Sequence, residues 1–139
     1  MAIDIDSNSK RFFQVRNARN TEIAEDYTEM IADLINENGE ARSVDLAERF
    51  GVTSPTVNSI IRRLVREGLV ESKPYRSIFL TEEGKVLASF CKKRHEIVYK
   101  FLLAIGVKDE IAKIDAEGLE HHVSKETLKV FENFILKYK

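Results

Sequence analysis

The stretch SVDLAERFGVTSPTVNSIIRRLVREG, residues 43–68, decides the fold. Val44, Leu46, Ala47 and Phe50 are the apolar positions of a short helix. Gly51-Val52-Thr53 is a three-residue, glycine-led turn. A second helix opens at Ser54-Pro55, with serine as the expected cap and proline in the first turn, where its missing N–H costs nothing. Val57, Ile60, Ile61, Leu64 and Val65 then recur at i, i+3, i+4, i+7 and i+8, one continuous apolar stripe, and Gly68 closes the helix. Two helices so joined make a helix-turn-helix.

Working outward, Leu69–Ser72 and Ser77–Leu80 read as two short strands around Lys73-Pro74-Tyr75-Arg76, a small hairpin or wing. The outward face of the second helix carries Ser54, Thr56, Asn58, Ser59, Arg62 and Arg63. Small polar residues let a backbone approach the major groove, and arginine pairs bidentately with guanine. Lys73, Tyr75 and Arg76 at the wing tip suit phosphate contact. Each of these residues alone also fits a solvated helix face, and winged helices mediate protein contacts too. The whole order (turn glycine, proline-started helix, basic wing) points to DNA.

Upstream, residues 1–19 are polar with scattered Phe12, Phe13 and Val15, which predicts a flexible arm. Ile23, Tyr27, Met30, Ile31, Leu34 and Ile35 recur at helical spacing and predict a helix from residue 20 that ends at Asn36–Gly39. Downstream, a long helix is predicted over 82–103, with Val86, Leu87, Phe90, Cys91, Val98, Phe101 and Leu102 inside. Shorter helices are expected near 109–121 and 125–137. The fold class is thus mainly α: a winged-helix DNA-binding domain over 20–80 and an all-helical domain over 81–139. Phe101, Leu102, Phe131, Phe134 and Ile135 are more apolar surface than a small monomer easily covers, which predicts a homodimer built from this half.

The 139 residues are room for one domain or two very small ones. Net charge is −1, so the basic face near 62–76 is balanced by acids, several of them at 22–33. That allows DNA binding without a high overall charge. No run of apolar residues is long enough to span a membrane, and the acidic N-terminus lacks signal-peptide character. With the single Cys91, these features predict a cytoplasmic protein without an internal disulfide.

The segment DAEGLEHHVS, residues 115–124, places Glu117, Glu120 and His121 at i, i+3 and i+4 on one helical face. Two carboxylates and an imidazole brought together there call for a cation, although a polar helix end reads the same way. Asp26 and Glu29 stand three apart on the first helix, and His95 lies among core positions of the long one. Taken singly, acids three apart are commonly a solvated face, and a lone helical histidine is commonly hydrogen-bonded.

With Asp26-Tyr27 and Glu29, the helix-turn-helix through Gly68-Leu69, Arg94-His95, Phe101-Leu102, Ile105-Gly106-Val107 and Asp115–Ser124, the chain resembles the manganese transport regulators, the manganese branch of the diphtheria-toxin-repressor family. The resemblance covers about residues 20–137. It implies a homodimeric repressor whose metal ligands are Asp26, Glu29, His95, Glu117, Glu120 and His121, acting on the operator of a manganese uptake gene. A ligand set without thiolate suits a hard ion of high coordination number such as Mn2+, and four carboxylates could bridge two ions. Iron-responsive relatives usually place sulfur where Glu120 stands, and many carry a further SH3-like domain for which this sequence has no room. The alternatives are an iron- or zinc-responsive repressor, a metal-independent winged-helix regulator, and a small di-metal carboxylate enzyme. No small organic substrate is expected.

Overall fold

The computed structural model describes residues 5–73 and 77–137, with side chains from Ser9 onward. In order it contains α1 (Ile5–Asn38), α2 (Ser43–Phe50), α3 (Ser54–Arg66), β1 (Val70–Glu71), β2 (Phe79–Leu80), α4 (Glu82–Ala104), α5 (Asp109–Leu119), a 3-10 turn (Glu120–His122) and α6 (Lys125–Lys137). The chain divides into two compact units, Met1–Leu87 and Ala88–Lys139.

In the first unit the core is built from Tyr27, Ile31 and Leu34 of α1, Leu46 of α2, and Val57, Ile61 and Leu64 of α3, all buried. Tyr27 stacks on Phe50 with ring centroids 4.4 Å apart, tying α1 to the end of α2. Gly51 takes the left-handed conformation at φ 65°, which lets the turn reverse within three residues. The cap of α3 is Thr53 rather than the expected Ser54: its Oγ1 accepts from the N–H of Thr56 at 3.3 Å, and Pro55 follows in the first turn.

The wing is smaller than expected. Val70 pairs with Leu80 and Glu71 with Phe79, antiparallel, and a bridge from Ala41 to Ile78 adds the segment before α2 to its edge. Its base is locked to α4 by Thr81. The threonine hydroxyl donates to the Gly68 carbonyl at 2.6 Å and accepts from the Gly84 N–H at 3.1 Å, while the Thr81 N–H donates to the Leu69 carbonyl at 3.1 Å. Gly84 sits directly on that carbonyl: a Cβ there would lie 2.1 Å from the Leu69 oxygen.

In the second unit, Val98 and Leu102 of α4 and Ala112 and Ala116 of α5 are buried together, with Phe101, Val107, Leu128 and Phe131 packed around them. The small alanines let α5 approach α4 closely. Phe101 stacks face to face on Phe131 at 3.8 Å and meets the edge of Phe134 at 5.5 Å. Tyr99 donates to the Asp109 carboxylate at the start of α5. That bond holds the Asp109 carboxyl below its ordinary range and raises the Tyr99 hydroxyl.

Three expectations need correction. The residues from Ile5 to Arg19, expected as a flexible arm, belong to α1. Apolar periodicity missed them because helical residues 9–19 are exposed all round, Phe12 and Phe13 included. Val44, Val65, Val86 and Phe90, expected inside, are exposed. Periodicity gives the side of a helix, not whether a neighbour covers its rim. Finally, Leu102 is buried and Phe101 and Phe131 pack within the subunit. The strongly exposed apolar residues of the second unit are instead Ile105, Ile111, Ile114, Val130 and Leu136.

Candidate metal centre and nucleic-acid interface

The metal question starts from one carboxylate. Glu120 opens the 3-10 turn after α5, and its side chain has no exposed surface. Both of its oxygens are shielded from solvent, and neither makes a hydrogen bond of good geometry among the described residues. They face imidazoles: His95 Nδ1 lies 3.0 Å from Oε2, and His121 Nε2 lies 3.4 Å from Oε1. Glu117, one turn earlier on α5 and largely exposed, reaches within 3.8 Å of the same His95 Nδ1. His95, Glu117 and Glu120 each offer a donor atom within 4.8 Å of the others, the spacing of ligands around one ion.

A carboxylate taken wholly out of water is costly unless a cation or a full set of hydrogen bonds answers it. Two imidazoles and a second carboxylate converging on it are a donor set that a hard divalent cation satisfies, and no thiolate takes part. Cys91 is buried, as expected of a small apolar residue, with its Sγ 3.9 Å from an Arg94 nitrogen. His122, beside the cluster in sequence, is exposed. Of the six residues that the family resemblance gives as ligands, the second unit thus brings His95, Glu117 and Glu120 together, with His121 on the far side of Glu120. Asp26 and Glu29 lie partly buried on α1 of the first unit.

Arg94, which in the sequence marked only the resemblance beside His95, lies next to the cluster. It is only 8% exposed, and its guanidinium stands 3.3 Å from His121 Nδ1 and 5.4 Å over the Phe90 ring. Burial lowers its pKa from the ordinary value, and the Glu120 charge opposes that shift.

On the first unit, Ser54, Thr56, Asn58, Ser59 and Arg62 are all exposed along α3. Asn58 and Arg62 open onto a groove of 1030 Å³ that also takes in Arg42, Arg66 and the wing residue Lys73. Arg42 and Arg66 were not among the expected contacts. The spacing of Arg66 four residues after Arg62 was a usable signal, whereas Arg42 joins the groove only through the fold. Arg63 turns away from it. It donates to the Asn20 carbonyl at 2.9 Å and to the Asn20 side chain at 3.3 Å, and pairs with Glu67 at 3.3 Å. In this arrangement Arg63 tethers α3 to α1. Tyr75 and Arg76 lie outside the described residues; Lys73 is exposed.

This division of labour has a measurable outcome. Substituting Arg62 or Asn58 by alanine should change the preference among DNA sites by about 1–3 kcal/mol. Lys73→Ala should weaken all sites alike and reduce the salt slope by about one. Binding to a panel of duplexes across salt concentrations separates the two; indifference of all three variants would show that the recognition surface lies elsewhere.

Residues 20–78 match the N-terminal DNA-binding domain of the iron-dependent repressors, and residues 81–139 match their metal-binding and dimerisation domain. A transcriptional regulator MntR of Escherichia coli O6:H1 is 50% identical over 136 residues, covering 98% of this chain and 88% of that protein. The HTH-type transcriptional regulator MntR of Bacillus subtilis is 39% identical over 100 residues, 72% of this chain and 70% of that one. A solved structure described as a manganese-dependent transcriptional repressor in complex with manganese aligns at TM-score 0.71 and 28% identity, over 81% of this chain. The chain spans 52% of that protein's length. The fold is that of metal-responsive, DNA-binding repressors, which are not enzymes. The chain belongs to the iron-dependent repressor family.

Proposed function

We propose that this chain is a manganese-dependent transcriptional repressor, cytoplasmic and homodimeric, whose bound metal favours operator binding and silences manganese uptake genes. The observation that carries this reading is the buried Glu120 carboxylate facing His95 and His121, in a domain of a metal-binding family and with no sulfur donor. The relatives named as MntR regulators support manganese as the metal. Exposed Ile111 and Ile114 support a partner subunit on the second unit, and no helix among the described residues is long and apolar enough to cross a membrane.

The ligands would be His95, Glu117, Glu120 and His121 with Asp26 and Glu29, and their four carboxylates allow one ion or two. When bound, a divalent cation supplies the positive charge that lets these carboxylates converge. α1 is then restrained together with the later helices, and the population shifts toward the DNA-binding geometry. An iron- or zinc-responsive repressor is the rival reading. Zinc binds such a site at least as tightly as manganese, but four ligands satisfy it, whereas manganese accepts more.

The test is operator affinity at saturating manganese and at saturating zinc, on a duplex selected from random sequence. Manganese should tighten binding on the order of 100-fold, the upper range of allosteric coupling, and zinc should do less. Asp26→Ala should abolish the manganese response while leaving the dimer intact, and Glu120→Cys should shift the response toward iron. Equal activation by both metals, or a fully responsive Asp26→Ala protein, would overturn the coupling.

A further inference from the structure

We propose that Arg94 is a resident cation of the metal centre that competes with the incoming metal for His121. It would hold the imidazole by Nδ1 in a tautomer that cannot ligate. The inference rests on the reading of Glu120 and His121 as ligands and adds a residue that sets how tightly they bind.

The Arg94 contact sets the tautomer from the Nδ1 end of the ring. An Arg94 nitrogen lies 3.3 Å from His121 Nδ1. A guanidinium only donates, so Nδ1 accepts, and the proton of the neutral ring belongs on Nε2. Nε2 lies 3.4 Å from Glu120 Oε1, close by but without hydrogen-bond geometry. Ligation needs a ring lone pair, and here the one on Nδ1 is engaged by Arg94 while Nε2 carries the proton. If Nε2 is to ligate, the proton must move to Nδ1, where it meets an arginine donor head-on. If Nδ1 is to ligate, Arg94 must yield the position outright. In either case the Arg94–His121 contact has to break.

Charge works in the same direction. Arg94 is buried on α4, one residue before His95, and is coupled electrostatically to Glu120. Its positive charge therefore answers part of the demand that the metal would otherwise meet. The guanidinium also has neighbours that do not depend on His121. The Phe90 ring lies 5.4 Å away and Cys91 Sγ 3.9 Å, so it can withdraw from the imidazole without leaving its helix face.

Two measurements test the proposal. In the metal-free full chain with 15N-labelled histidine, the ring nitrogens of His121 should report a proton on Nε2 and none on Nδ1. A proton mainly on Nδ1 overturns the proposal and requires no variant. Manganese affinity, followed by competition with a chromophoric chelator, should rise at least about tenfold in Arg94→Met, where the charge and the donor are both gone. Arg94→Lys, which keeps the charge, should stay nearer the wild type. Unchanged or weaker affinity in a folded Arg94→Met protein also overturns it, because a merely supporting arginine predicts that loss. Should Arg94→Met fail to fold, the tautomer decides. Glu120→Ala measured alongside keeps the two levels apart: if it binds manganese as the wild type does, the ligand assignment fails, whatever the tautomer shows about Arg94.

Discussion

Replacing Gly84 with alanine should destabilise the protein by about 3 kcal/mol or more, the upper end of the cost of forcing atoms into a packed site. Alanine is ordinarily the better helix former by about 1 kcal/mol, so propensity alone predicts the opposite sign. The difference lies in what faces the glycine. A Cβ would stand 2.1 Å from the Leu69 carbonyl oxygen and 3.1 Å from its carbon, which are backbone atoms and cannot swing aside. That carbonyl also accepts the Thr81 N–H, so retreat of the loop breaks the bond that seats the start of α4 against the wing. Urea denaturation of Gly84→Ala beside the exposed control Ser89→Ala checks this, the control being expected within about 0.5 kcal/mol of the wild type. A stabilised Gly84→Ala protein would mean that α4 does not approach Leu69 as described.

The second large effect concerns Glu120. Manganese should raise the denaturation midpoint of the wild type, by about 2.7 kcal/mol at a free concentration one hundred times the dissociation constant. Glu120→Ala should erase that increment over the same range. Glu117→Ala should reduce it less, and burial is what separates the two. The Glu120 side chain has no exposed surface and its oxygens meet both imidazoles, whereas Glu117 is 67% exposed and touches the cluster from its rim. A carboxylate already stripped of water gives up little more on binding a cation, while an exposed one must first be dehydrated. Losing Glu120 should therefore cost more than the roughly 10–100-fold typical of groups that only support a metal ligand. Denaturation curves across a manganese titration are the measurement. A Glu120→Ala protein still stabilised like the wild type would remove Glu120 from the site, and with it the reason for placing the site there.

What could be read in the sequence was local. The α2–turn–α3 unit follows from an apolar stripe, a turn glycine and a proline-started helix, all within 26 residues of one another. The i, i+3, i+4 spacing of Glu117, Glu120 and His121 likewise pointed to a shared face, although the helix tightens to a 3-10 turn at Glu120. What could not be read depended on partners distant in the chain. Nothing near Gly84 announces the Leu69 carbonyl, and nothing near Arg63 announces Asn20, 43 residues away. Arg94 could be read only as the neighbour of His95, and its place beside His121 came from the fold. The N-terminal part of α1 failed for a different reason. A helix that buries none of its faces leaves no period to detect.

The tether between Arg63 and Asn20 bears on how a signal would travel. Asn20 lies six residues before Asp26 on α1, about 9 Å along the axis, with no break in the helix between them. The rod that bears the proposed first-unit ligands is thus pinned directly to the recognition helix, and at a second point Tyr27 is stacked on the end of its partner helix. Under the proposed coupling, a shift of α1 would be handed to the reading head as by a crankshaft, without passing through a loop that could absorb it. On the proposed coupling, the DNA-reading half would keep one internal shape with and without metal. In the metal-free state it should hold a fully formed recognition surface, so that operator and random DNA lose affinity by different amounts rather than the fold being lost.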